Sequence, residues 1–292
     1  MMANTREYLL VWDSTMANPN GDMLNDNKPR HDEITGQLEV SDVRIKRFIR
    51  DEWQSTGHNV LVRTKKDDKG KVMSCTNLIK EIMKNADLKE NDLPEYILKQ
   101  YIDVRLFGAV ITKPKYDITG PLQVMWSKSV NPAEIKFMQG NSAYAGGEDK
   151  SQSTIWSKYV TPYALFKTYA VYNDNVARKQ GIEVSENDLS EFTTALINGL
   201  INYRSTSKNQ MPRLLVEVIY KEHRIDGELN YVDVNFDTSK DEVRDISQTT
   251  LDLQKLNEYY ESKKEFIDKI VIYKHNTAKI VNLPEEFEVI NF

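Results

Sequence analysis

The chain has one cysteine, Cys75, among 292 residues. No disulfide can form within it, and a reducing, cytoplasmic setting is the expectation. The histidines His31, His58, His223 and His275 are scattered, and no His/Cys spacing resembles a zinc site. There is no Walker loop, dinucleotide fingerprint or nucleophile elbow, so the common enzyme templates fail. No apolar run approaches the roughly 18 residues of a membrane helix, and no membrane partner is expected. The opening Met-Met-Ala-Asn-Thr-Arg-Glu has no secretory pattern. An excess of positive charge is missing too: 39 basic residues face 44 acidic ones, for a net charge of −5. That argues against a generic nucleic-acid coat but permits a local basic groove, because only charges within about a Debye length matter strongly.

What is present is ordinary in bulk, with 40% hydrophobic and 28% charged residues. The length suits one core domain carrying an insertion or two. The informative stretch is residues 18–51. Tyr8-Leu-Leu-Val-Trp-Asp13 predicts a buried strand. A loop then follows in which Pro19, Gly21 and Pro29 exclude regular structure. Ser41 and Asp42 open a helix, with Ser41 expected to cap a free N–H. Ile45, Phe48, Ile49 and Trp53 share one face of that helix. Lys46, Arg47 and Arg50 share the other, with Arg44 at its edge.

Downstream, Val60-Leu-Val-Arg-Thr64, a turn at residues 67–70 and Val72-Met73 predict a small hairpin. Residues 76–86 and 92–101 predict helices, Pro94 falling in the first turn of the second. Residues 57–115 are expected to form an inserted, partly helical subdomain, closed against the core by residues 103–108. Leu122, Val124 and Trp126 alternate onto one face of a strand. The glycine-rich residues 139–153 predict a long loop or hairpin tip. An aromatic-rich strand covers residues 155–173, Pro162 marking an edge or a start. Ser185-Glu-Asn-Asp188 predicts a capping box opening an amphipathic helix. Residues 203–213 form a basic loop without acids, followed by strands at 214–220 and 231–236, a helix at 251–263 and a strand at 269–273. The main elements run strand, helix, strand, strand, helix, strand, the order of an α+β, ferredoxin-like split βαβ fold.

In such a fold the loop after the first strand, the first helix and the loop before the last strand can converge. Arg30, Arg44, Lys46 and Arg47 lie in the first region. Arg204, Lys208 and Arg213 lie in the second, beside Ser205. Arginine and lysine with small hydroxyls and backbone N–H groups fit phosphates without reading bases. An alternative chemistry also stands in the sequence. Asp13, Asp22, Asp26 and Asp32 could hold Mg²⁺ for phosphodiester cleavage, although Asp also dominates loops because it makes turns.

Asn18-Pro-Asn-Gly-Asp22, Pro29-Arg-His-Asp32 and Val40-Ser-Asp-Val-Arg-Ile-Lys-Arg47 together resemble the N-terminal signature of the CRISPR Cascade backbone subunits, closest to the type I-B branch. Gly120-Pro-Leu-Gln123, Arg204-Ser-Thr-Ser-Lys208 and Pro212-Arg213 are similar to later motifs of that family. The resemblance implies a modified RNA-recognition-motif palm at residues 1–56 and 116–292, with a helical finger insertion at 57–115. It also implies a protruding thumb hairpin, with residues 139–153 the candidate and 222–235 the alternative. Identical neighbouring subunits are implied to stack along a CRISPR RNA beside other Cascade subunits, leaving guide bases free to pair with target DNA in antiviral defence. No catalytic role and no cofactor are implied. The RNA-binding residues expected from the motifs and the basic loops are Asn18, Asn20, Gly21, Arg30, Arg44, Lys46, Arg47, Arg50, Arg204, Ser205, Lys208 and Arg213. Related type III backbone subunits cut bound RNA with a loop aspartate, which keeps a Mg²⁺-dependent ribonuclease open as the alternative.

Overall fold

The computed structural model describes residues 3–145 and 153–292. Strand β1 (Arg6–Ala17) lies in the middle of a nine-stranded sheet and is buried from Arg6 to Ser14. Tyr8, Leu10 and Trp12 point into one core, and Leu9 and Val11 into a second. The other strands of the main path are β2 (Gln37–Val40), β3 (Ser127–Pro132), β5 (Ser153–Tyr172), β6 (Gln210–Tyr220), β7 (Ile267–Lys274) and β8 (Glu288–Asn291). They lie in the order β8-β7-β6-β1-β5-β3-β2. Neighbours on this path are antiparallel except β7 and β8. Strand β4 (Lys136–Ala145) and the short strand Leu122–Val124 pair with β5 as well.

Helices α1 (Asp42–Ser55) and α2 (Glu186–Asn202) pack side by side on the first face. The capping box expected at Ser185 and Asp188 is formed. The two helices come close at Gly199, where an added Cβ would stand 2.7 Å from the Phe48 carbonyl oxygen. The second face is covered by C-terminal residues including Leu229, Val232, Val243, Leu251 and Leu256. Among the described residues, no helix is long and apolar enough to cross a membrane.

The expected helices of the insertion appear at Cys75–Asn85 and Leu93–Gln100, followed by Ile102–Phe107. The expected hairpin around residues 60–73 does not form beyond one bridge between Lys66 and Val72. The buried Asp103 carboxylate takes the N–H groups of Leu61 and Val62, at 2.8 and 3.0 Å, which a strand partner would need. The same carboxylate accepts from Arg50 at 3.0 Å, tying the insertion to α1.

Two strand expectations are corrected. Trp126 does not follow Leu122 and Val124 into the core, because Met125 and Trp126 lie in a break before β3 and are both exposed. The chain rejoins the sheet at Ser127, opposite Val40. Pro162 sits inside β5 rather than at its edge or start. Thr161 pairs with Ala17 and Tyr163 with Thr15 in unshifted register, so Pro162, which has no N–H to donate, lies opposite Met16, whose φ is +47°. Within residues 139–153, positions 139–145 belong to β4 and Ser153 begins β5, while 146–152 lie outside the described residues.

Replacing a helical glycine by alanine ordinarily stabilises by up to about 1 kcal/mol. At Gly199 the Phe48 backbone blocks the added methyl. Gly199→Ala is expected to lower stability by about 1–3 kcal/mol, read as an earlier midpoint in urea unfolding. A later midpoint contradicts the tight helix contact.

Candidate nucleic-acid interface

Beyond Ser14, β1 keeps pairing with the segment that precedes β6. Thr15 N donates to Asn209 O at 3.0 Å, Asn209 Nδ2 to Thr15 O at 3.0 Å, and Asn18 N to Ser207 O at 3.0 Å. This zipper draws the loop after β1 against the basic loop of residues 203–209, as split βαβ convergence requires. The Lys208 ammonium completes it by donating to the Asn18 carbonyl.

The first loop is shaped by its own amides. Asn18 Nδ2 donates to Asn27 O at 2.6 Å, while its buried Oδ1 has no partner among the described residues. Asn20 Oδ1 accepts from both the amide and the hydroxyl of Ser41, each at 2.9 Å. Ser41 stands at the N-cap of α1 but does not cap it through its side chain; its hydroxyl is turned toward Asn20, to which it donates. Gly21 is a packing position, since a Cβ there would fall 1.9 Å from Asn27 Oδ1. Arg30 pairs with Asp22 at 3.2 Å on the same loop.

Helix α1 buries Ile45, Phe48, Ile49 and Trp53 as expected. Its cationic half is mostly neutralised. Lys46 pairs with Asp42 at 3.1 Å, Arg47 with Asp51 at 2.8 Å and Arg50 with Asp103 at 3.0 Å. Arg44 is different. Its guanidinium lies 3.9 Å from the centre of the Phe48 ring, its buried Nε has no acceptor, and it joins no ion pair among the described residues. Burial lowers its pKa to about 10, with the Arg47 charge adding to the effect and Asp51 opposing it. Lys208 is lowered further, to about 8, by burial and then by the charge of Arg44. Two half-buried cations from distant segments are thus set near each other, and neither forms an ion pair among the described residues, Asp51 only partly offsetting the cost at Arg44. An anion placed between them relieves their repulsion.

The loop of residues 203–209 spans α1 from its last turn to its first. Tyr203 donates its hydroxyl to Asp51 O at 2.6 Å, and Lys208 reaches the Arg44 end. Arg204 donates to Ile201 O at 3.1 Å, and Ser205 and Lys208 close a turn through their backbones. Both Arg204 and Ser205 are exposed on this loop. Arg213 belongs elsewhere. It grips the buried Asp13 at 2.8 and 3.1 Å and Thr277 at 2.5 Å, on the side of the C-terminal layer.

The four aspartates of the alternative chemistry have separate surroundings. Asp13 holds Arg213 and accepts from the Tyr163 hydroxyl. Asp22 organises a turn by accepting from the amide of Leu24 and the side chain of Asn25. Asp26 is exposed in a left-handed conformation with φ of 49°. Asp32 accepts from the amides of Ile34 and Thr35, which holds its carboxyl below the usual range. Among the described residues, no group of three or more His, Cys, Asp or Glu side chains is placed to hold a metal ion.

Two features of the site escape a reading of its charges. Phe48 is a core residue whose ring also supports Arg44. Asp42 and Asp51 stand four positions from Lys46 and Arg47 on α1, a spacing visible in the sequence that marks those cations as partnered.

The profile of the family described as CRISPR-associated protein Cas7 matches residues 4–254. The CRISPR-associated protein Cas7 of Haloferax volcanii is 28% identical over 299 residues, covering 91% of this chain and 86% of that protein. A chain of a solved structure titled CRISPR RNA-guided surveillance complex, pre-nicking, superposes with a TM-score of 0.59 at 15% identity, covering 99% of this chain and 96% of its own. A chain of another CRISPR RNA-guided surveillance complex gives 0.53 at 13% identity, covering 96% and 95%. These solved structures share the fold, and the profile spans most of the sequence: the chain belongs to the Cas7 family.

Proposed function

We propose that this protein is a backbone subunit of a type I CRISPR effector complex, binding CRISPR RNA along its sugar–phosphate chain. Copies stack head to tail on the RNA beside other Cascade subunits and leave guide bases free to pair with target DNA. The observation that carries this reading is the Arg44 and Lys208 pair, two unneutralised cations brought together by the β1 zipper. The order β6-β1-β5-β3, with α1 and α2 on one face, supports an RNA-recognition-like palm. The helices of residues 75–107 serve as the finger. The β4–β5 hairpin is the thumb of this reading, in preference to residues 222–235. This reading gives the protein no catalytic role: of the four aspartates, Asp13 and Asp22 are held in ion pairs, Asp32 in a turn, and Asp26 stands apart in solvent.

Arg44→Gln and Lys208→Gln keep most of each side chain and remove its charge. Each is expected to weaken binding of single-stranded RNA roughly 10- to 100-fold, the range for a charged hydrogen bond. Each should also flatten the dependence of log affinity on log salt by roughly 0.7. Arg213→Gln is expected instead to reduce thermal stability and spare the affinity of the folded protein, because Arg213 neutralises Asp13. Unchanged binding in both the Arg44 and Lys208 variants rejects the groove. RNA cleavage with Mg²⁺ by the wild type, lost in Asp22→Ala plus Asp26→Ala, rejects the non-catalytic reading.

Binding should also depend on pH through Lys208. In the free protein its ammonium gives up a proton near pH 8, well below the ordinary lysine value. A bound phosphate favours the charged form, so binding takes up a proton. Affinity is therefore full below pH 8 and falls as the pH rises through that value. Lys208→Arg, which stays charged, is expected to flatten the profile. The check is RNA affinity measured across this range for both proteins.

A further inference from the structure

The C-terminal layer covers the second face of the sheet over β1, β6 and β7. Between that layer and the β2–β3 end of the sheet lies a cavity of about 490 Å³. Its size falls within the roughly 300–1,000 Å³ of small-molecule sites. Leu9 and Tyr169 stand opposite each other on β1 and β5, and both line it. Lys128 of β3 and Lys167 of β5 are also directly opposite, so two ammonium side chains share one face of the sheet. The half-exposed indole of Trp126 forms part of the wall, and the C-terminal layer adds Gly227 and Asn230. The turn that supplies Gly227 is held in place from below. The buried Glu7 carboxylate of β1 accepts the amides of Asp226 and Gly227 at 2.9 and 3.0 Å.

Like charges directly opposite across two strands are destabilising, and each lysine has only partial relief. Lys128 pairs with Glu39 at 3.5 Å, a loose contact for a side chain that is 60% exposed. Lys167 joins no ion pair among the described residues and donates instead to Val232 O at 3.1 Å. Burial lowers its pKa, with Asp233 opposing the shift and Lys255 adding to it. Among the described residues no carboxylate lines the cavity, so a ligand that suits it brings negative charge. A carboxylate brings one charge, whereas a phosphate monoester brings nearly two at neutral pH, matching the two lysines. Trp126 and Leu9 add a flat apolar surface that a bare inorganic anion would leave uncovered. We infer that this cavity binds a small phosphate monoester carried on a flat ring, its charge met by the Lys128 and Lys167 ammoniums and its ring laid against the Trp126 indole. The cavity lies on the face of the sheet away from α1, so this binding is separate from the proposed RNA groove.

Phenyl phosphate is a minimal probe of this chemistry, titrated into the full chain by calorimetry beside inorganic phosphate and benzoate. It is expected to bind at least about tenfold more tightly than either. Lys167→Gln should weaken it about 10- to 100-fold, and Lys128→Gln, at a more exposed position, by less. Trp126→Ala should bring phenyl phosphate down to the affinity of inorganic phosphate. Lys128→Gln and Trp126→Ala change exposed side chains, and they decide the matter if the Lys167 variant folds poorly. Adenosine monophosphate separates two sources of the same chemistry. Tighter binding than phenyl phosphate supports the site with a free nucleotide as its ligand, and weaker binding supports it with a smaller aryl phosphate. Equal affinity for benzoate rejects the dianion, and equal affinity for inorganic phosphate rejects the ring. Binding indifferent to both lysine variants places the ligand elsewhere and overturns the assignment. Displacement of the probe by single-stranded RNA overturns it in favour of the nucleic-acid surface. No binding of any probe rejects the cavity and leaves the proposed RNA-binding function standing.

Discussion

Strand β1 is buried on both faces, and that constraint organises the molecule. A strand with cores on either side can present functional groups to solvent only at its ends. Its apolar middle fixes the packing of α1 and α2 on one face and of the C-terminal layer on the other. The sheet surface that an open recognition module would use is thereby largely occupied. Under the proposed function, contacts with an extended ligand move to the place where β1 emerges; there the zipper with residues 207–209 holds the emerging chain in register. The Lys208 ammonium, tied to the Asn18 carbonyl beside that zipper, comes near enough to Arg44 to feel its charge.

Much of this was legible in the sequence. The buried strand, the amphipathic α1, the capping box before α2 and the two insertion helices follow from periodicity and cap chemistry, which are local signals. The convergence of the two basic segments followed from the order of elements. The misreadings came from competition between partners distant in sequence. Ser41 is a suitable N-cap residue, yet Asn20 draws its hydroxyl away. Leu61 and Val62 have strand-like side chains, yet Asp103 claims their amides. Pro162 lies inside β5 opposite Met16, whose left-handed backbone is distant in sequence and not announced near Pro162.

Counting charges proved a poor guide to where charge remains available. Helix α1 has several cations, but Lys46, Arg47 and Arg50 each have a carboxylate within hydrogen-bonding distance. What distinguishes Arg44 and Lys208 is the want of such a partner together with partial burial. Under the proposed function this is how an acidic protein would offer a phosphate site: carboxylates neutralise cations elsewhere and leave a small pair whose repulsion an anion would relieve, with sensitivity to both salt and pH.

The sheet ends on both sides in short strands, Gln37–Val40 and Glu288–Asn291, each four residues long. A short edge gives a second molecule little backbone to continue the ladder. At those two edges contacts with another molecule therefore fall to side chains and loops, whereas β4 (Lys136–Ala145), paired among the described residues only with β5, is the longer edge. Under the proposed function, an array of such subunits would take its length from the RNA on which it gathers.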